Sequence, residues 1–136
     1  MTPEFPKLTR SAEDYLEAIG LLCLENGAAR VNDIAQRLNV KKPSVTAAVR
    51  HLADQDLVIY RQYAPIELTK KGEEYAEKVI RAHRILRRFM HEVAGLSREK
   101  ANETACMLEH ILSPEDIQTL SERLPEHPAG GMNKKP

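Results

Sequence analysis

The chain has 136 residues, 42% hydrophobic and 29% charged, a make-up that fits a folded globular protein and excludes a disordered one. No apolar run approaches the ~18–20 residues of a membrane span. Net charge is zero, but residues 1–40 carry −2, residues 41–90 carry +5 and residues 91–136 carry −3, which suggests one anion-facing element in the middle of the chain.

Pro3, Glu4 and Pro6 stand where a signal peptide needs a continuous apolar stretch, so a cytoplasmic protein without a membrane partner is expected. Residues 1–10, with no periodicity, read as an arm. A first helix is predicted from Ser11, with Asp14 three residues on as in a capping box. Tyr15, Ile19, Leu22 and Cys23 form its apolar stripe, and Asn26-Gly27 ends it. A short second helix has Asn32 or Asp33 as its cap, buries Ile34, Ala35 and Leu38, and stops at Asn39. A third follows Lys41-Lys42, with Pro43 in its first turn and Val45, Val49 and Leu52 as its stripe. The period then changes: Leu57 to Tyr60 and Ile66 to Leu68 read as two short strands around an Arg61–Pro65 turn. Thr69 caps a long helix from about Lys70 to Val93, which Gly95 breaks. Residues 98–112 form a further helix, Ser113-Pro114 opens a last one to Leu124, and the Pro/Gly-rich tail from Pro125 is expected to be disordered.

Helix, short helix, turn, helix and hairpin is the order of a winged helix-turn-helix. The fold class is therefore mainly α, an N-terminal winged helix-turn-helix followed by a helical domain. If the third helix buries Val45, Val49 and Leu52, its other face carries Lys42, Ser44, Thr46, Ala47 and Arg50, with Lys41 and Pro43 at its start. Those hydroxyls reach phosphates or base edges and those cations bind the DNA backbone; Arg61 and Tyr63 in the hairpin turn form the wing. An ordinary helical domain with a small hairpin is the plainer alternative.

Cys106, Glu109 and His110 stand at i, i+3 and i+4, so on a helix a thiolate, a carboxylate and an imidazole converge within one arc. Asp14 and Glu17 are a further i, i+3 pair on the first helix, and His83 borders the buried face of the long one. Taken singly, each of these has a plainer role, as a buried thiol, a packed imidazole, a cap or a solvated charge. Cys23, His51, His91 and His127 are assigned to packing, surface and tail.

With both elements in one chain, the sequence resembles the DtxR/MntR family of metal-dependent transcriptional repressors, in its short form without an SH3-like domain. Ser11-Ala12-Glu13-Asp14-Tyr15-Leu16-Glu17, Val31-Asn32-Asp33-Ile34-Ala35-Gln36-Arg37-Leu38, Pro43-Ser44-Val45-Thr46, Leu68-Thr69-Lys70-Lys71-Gly72, Ala82-His83-Arg84-Ile85-Leu86 and Ala105-Cys106-Met107-Leu108-Glu109-His110 carry the resemblance, in order, over residues 8–124. It implies a homodimer bound to double-stranded operator DNA. Each subunit would comprise a winged-helix DNA-binding domain (1–72), a helical metal-binding and dimerisation domain (73–124) and a tail (125–136). It implies Mn(II) or Fe(II) as cofactor, held by Asp14, Glu17, His83, Cys106, Glu109 and His110. Two departures are visible. Manganese-type members have a carboxylate in place of Cys106, and iron-type members have Met in place of Asp14. Arg87 and Asn102 stand where the iron type has the carboxylate and second histidine of an ancillary site.

The expected mechanism is a switch. Without metal, the carboxylates of Asp14, Glu17 and Glu109 form an uncompensated cluster whose repulsion loosens the first helix; a divalent cation neutralises it and fixes the spacing of two recognition helices. The alternatives are a winged-helix regulator sensing oxidant or a small ligand through Cys106, a protein–protein module, and a metalloenzyme built on Cys106, Glu109 and His110. The absence of a Gly-rich phosphate loop and of HExxH speaks against the enzyme.

Overall fold

The structure, a computed structural model, describes residues 5–126. Helix α1 (Arg10–Asn26) starts one residue before the predicted Ser11, because the hydroxyl that caps it belongs to Thr9, which accepts from the Ala12 N–H at 3.1 Å. It ends at Gly27, whose φ of 79° lets its N–H reach Cys23 O at 2.8 Å. The segment before it is not a free arm over its described part. Leu8 is buried, and the Phe5 ring lies 4.8 Å from that of Tyr75. Two apolar residues among prolines are too few to show a period, yet they cover the core.

Helix α2 (Val31–Leu38) has Arg30 as N-cap with no side-chain bond, so neither Asn32 nor Asp33 caps it. Asn39 ends it in the left-handed conformation (φ 57°), and Val40 N–H returns to Ala35 O at 3.0 Å. Helix α3 (Lys42–Asp54) follows with Pro43 in its first turn. Strands β1 (Val58–Ile59) and β2 (Glu67–Leu68) pair antiparallel, Val58 opposite Leu68, and Ile66 bridges back to Ala29. Between the strands Tyr63 takes a positive φ of 65° and is 96% exposed.

Helix α4 (Lys70–Arg88) is locked to the hairpin through the Thr69–Gly72 turn. Thr69 Oγ1 accepts from the Gly72 N–H at 2.9 Å and donates to Asp56 O at 2.7 Å. A Cβ on Gly72 would stand 1.8 Å from Leu57 O, so this close approach needs a glycine. Leu16, Ile19, Ile34, Val45, Val49, Leu52, Leu57 and Ile66, with Tyr75 and Val79 of α4, form one core. The chain divides into two compact units between Ile80 and Arg81, inside α4.

In the second unit the predicted helix end at Val93 is reached differently. Phe89–Val93 is a π turn, closed by Ala94 N–H to Phe89 O (3.0 Å), and Gly95 (φ 81°) turns the chain out of it. Helix α5 (Arg98–Leu108), capped by Ser97, is four residues shorter than predicted. Residues 109–112 continue as turns, with Leu112 N–H on Leu108 O at 3.1 Å, and their periodicity is indistinguishable from helix in sequence. Helix α6 (Pro114–Glu122) opens on a reciprocal Ser113–Asp116 capping box. Ala82, Ile85, Leu86, Ala105 and Ile117, flanked by Leu108, Leu112, Leu120 and Leu124, make this unit's core. Most of the predicted disordered tail, residues 127–136, lies outside the described residues.

Candidate metal centre and DNA-facing helix

In the second unit α4 and the end of α5 bring four of the predicted ligands together. Glu109 is the C-cap of α5 and keeps helical angles (φ −61°, ψ −22°), with its N–H on Ala105 O. Cys106 and Glu109 therefore keep the i, i+3 relationship although the helix ends between them. His83 Nδ1 lies 2.7 Å from Glu109 Oε1 and 3.8 Å from Cys106 Sγ. His110 Nε2 stands 3.5 Å from the other carboxylate oxygen, Oε2. Asp14 and Glu17, half-buried at i, i+3 on α1, belong to the first unit.

Glu109 is the one charged residue in the buried class among the described residues, its side chain 1% exposed. Burying a carboxylate is costly unless it is paired or coordinates a metal. His83 provides half of that compensation. Burial pushes its imidazole pKa down, but hydrogen bonds with Cys106, Glu109 and Asn102 and the charge of Glu109 outweigh this and hold it at about 10. The imidazolium thus offsets the charge of Glu109, one of the three carboxylates in the expected repelling cluster. Sequence shows carboxylates but not the proton a neighbouring histidine holds. The other half is open: Glu109 Oε2 is buried and accepts no hydrogen bond. A buried oxygen of this kind, beside a thiol and two imidazoles, fits a divalent cation of intermediate softness.

Asn102, one turn before Cys106 on α5, is a site residue that the predicted ligand set leaves out. Its Oδ1 lies 2.9 Å from His83 Nε2. Its signal in the sequence is its place in the resemblance, where the iron type has a second histidine. Cys23 is half-buried, with its thiol pKa raised by burial and by the nearby charges of Glu73 and Glu67, as suits packing. His91 Nδ1 lies 2.8 Å from Leu96 O beside the π turn, His51 is exposed, and His127 lies outside the described residues.

In the first unit α3 buries Val45, Val49 and Leu52 against the core. Lys41, Lys42, Pro43, Ser44, Ala47 and Arg50 are exposed on its other side and Thr46 is half-exposed; Arg61 and Tyr63 are exposed on the hairpin. These two features, an α3 face of hydroxyls and cations and a hairpin tip, define a winged helix-turn-helix of the regulator class.

The chain's similarity to known proteins agrees with that class and refines it. Residues 7–65 match the model of the iron-dependent repressor N-terminal DNA-binding domain, and residues 69–129 that of the iron-dependent repressor metal-binding and dimerisation domain. The chain is 39% identical, over 83% of its length and 91% of the relative's, to an uncharacterised HTH-type transcriptional regulator of Methanocaldococcus jannaschii. The chain belongs to the iron-dependent repressor family, the DtxR/MntR family, whose members are metal-dependent transcriptional repressors and not enzymes.

Among solved structures it is similar to IdeR of T. acidophilum (32% identity, TM-score 0.72, covering 88% of this chain and 55% of that one). It is similar also to the manganese regulator SloR (30% identity, TM-score 0.72, covering 90% and 54%). The chain thus spans about half the length of these solved relatives. Among the described residues, no helix is long and apolar enough to cross a membrane.

Proposed function

We propose that the chain is a repressor that binds double-stranded operator DNA as a homodimer when Mn(II) or Fe(II) occupies a site built on Glu109. The observation that carries this reading is the buried Glu109 carboxylate, held between His83 and His110 with one oxygen accepting no hydrogen bond. His83, Cys106, Glu109 and His110 supply ligands from the second unit, and Asp14 and Glu17 are the two that the family resemblance adds. A divalent cation would supply positive charge to the buried carboxylate, whose Oε2 accepts no hydrogen bond, and the Cys106 thiolate would gain more from Fe(II) than from Mn(II). Lys41, Lys42, Pro43, Ser44, Thr46, Ala47 and Arg50 meet the major groove and its phosphates, with Arg61 and Tyr63 on the flank. Metal and DNA are coupled by about 1–3 kcal/mol, enough for a five- to 150-fold switch.

Anaerobic titration of Mn(II), Fe(II) and Zn(II) into apo protein, followed by anisotropy of labelled promoter DNA, tests this. One metal tightens binding at least about fivefold, and Glu109→Ala removes the effect. Equal DNA binding in excess chelator overturns the switch. Reading the same coupling backwards, saturating operator DNA raises metal affinity by the same factor.

A further inference from the structure

We propose that Asn102 is a positioning residue of the metal centre, its side-chain oxygen holding the Nε2 hydrogen of His83 so that this histidine offers Nδ1, and Nδ1 alone, to the metal. The inference rests on the metal-switch reading above and deepens it. His83 Nε2 lies 2.9 Å from Asn102 Oδ1, and Nδ1 lies 2.7 Å from Glu109 Oε1. A carboxylate and an amide oxygen both only accept, so the ring directs a hydrogen at each of them.

The two nitrogens face different chemistry. Nδ1 looks at the thiol of Cys106, 3.8 Å away, and at the buried carboxylate, whereas Nε2 looks at a neutral amide on an exposed residue. A metal takes a nitrogen lone pair, and the nitrogen that keeps its hydrogen is set by that hydrogen's acceptor. With Asn102 accepting from Nε2, Nδ1 is the nitrogen that would give up its hydrogen to water and hold a metal, on the side where sulfur and oxygen donors already stand. Asn102 and Cys106 are four residues apart on α5, so one rigid helix face presents both the thiol and the amide that aims the ring at it. A second consequence follows: Nε2 is committed, so His83 serves one ion, and a second on the outer side of the ring finds no nitrogen.

The test uses the full chain carrying Asn102→Ala, Asn102→Leu or Asn102→Asp, with His83→Ala as control. Asn102 is exposed, so folding is not at stake. Histidine-labelled ¹⁵N NMR of the Zn(II)-loaded protein reads which nitrogen of His83 keeps its hydrogen, and Co(II) titration reads affinity. In the native protein the hydrogen is on Nε2 and the metal on Nδ1; Ala and Leu weaken Co(II) binding about tenfold and Asp restores it. Metal on Nε2 in the native protein overturns the inference, as does Asn102→Ala keeping both the Nδ1 attachment and the native affinity. If His83→Ala leaves Co(II) binding unchanged, His83 is not a ligand and this inference falls, whereas the metal reading falls only if Glu109→Ala also leaves binding unchanged. If His83→Ala abolishes binding while Asn102→Ala is silent, only the role of Asn102 falls.

Discussion

His83 Nδ1 and Glu109 Oε1 stand 2.7 Å apart, an ion pair between half-buried His83 on α4 and the end of α5 in which a buried carboxylate keeps a proton on an imidazole. If a metal occupies the proposed site at Nδ1, that proton must leave, and with the His83 pKa at about 10 a full proton is released at neutral pH. Metal affinity therefore rises with pH, by about tenfold per unit from this proton alone. Calorimetry in buffers of different ionisation enthalpy counts the protons released, and His83→Ala lowers the count by one. An unchanged count removes His83 Nδ1 from the ligand set.

The same pair gives the apo protein the opposite pH dependence. The folded-state pKa of His83 lies above the ordinary value of 6.5, so the folded state binds more protons than the unfolded chain between 6.5 and about 10. The stabilisation is whole below 6.5 and fades as pH rises through about 10. Thermal unfolding in chelator should show Tm falling across that window. Glu109→Gln removes the buried charge and flattens the slope; an equally steep slope in that variant places its origin elsewhere.

Much of this architecture is legible in the sequence, and the exceptions have specific causes. Val45, Val49 and Leu52 mark the buried side of α3, and through it the exposed side, because a helix spanning a core edge must repeat its apolar residues every three to four positions. The closeness of Cys106, Glu109 and His110 follows from the same helical spacing. The π turn at Phe89–Val93 is not, since widening one turn changes a hydrogen-bond partner and leaves the apolar pattern intact. Thr9 and Ser11 are equally good caps by composition; Thr9 is the cap, and Leu8 just before it is buried. The pairing of His83 with Glu109 and Asn102 joins residues on two helices, so no local spacing reveals it.

Gly72 is a position where the first unit has no room for a side chain. Its missing Cβ lets α4 start against Leu57 O, at a point where a methyl would lie 1.8 Å from that oxygen. Gly72→Ala must push α4 from the hairpin and should cost about 2–3 kcal/mol. Thr69→Ala removes the hydroxyl that bridges Asp56 O and the Gly72 N–H and should cost about 1 kcal/mol. Urea unfolding of both variants ranks them, and an order reversed from this one means the backbone there relaxes freely.

The exposed cations of α3 and the hairpin should act through phosphates and the hydroxyls through bases. Lys42, Arg50 and Arg61 are solvent-exposed, at the start and middle of α3 and on the hairpin. Removing a phosphate contact lowers affinity for every DNA sequence alike and reduces the slope of log K against log salt by about one. Ser44 carries a short hydroxyl and no charge, so Ser44→Ala should leave the salt slope unchanged and relax preference at one base pair, by about 1–3 kcal/mol of discrimination. Anisotropy titrations at several salt concentrations, on operator and on scrambled DNA, separate the two behaviours. Metal affinity measured without DNA serves as the control and should be native in all four variants, since the substituted side chains lie on the first unit and are not in the ligand set. If Lys42→Ala and Arg50→Ala leave the salt slope intact, α3 does not lie against the DNA backbone and the winged helix reads DNA through another face.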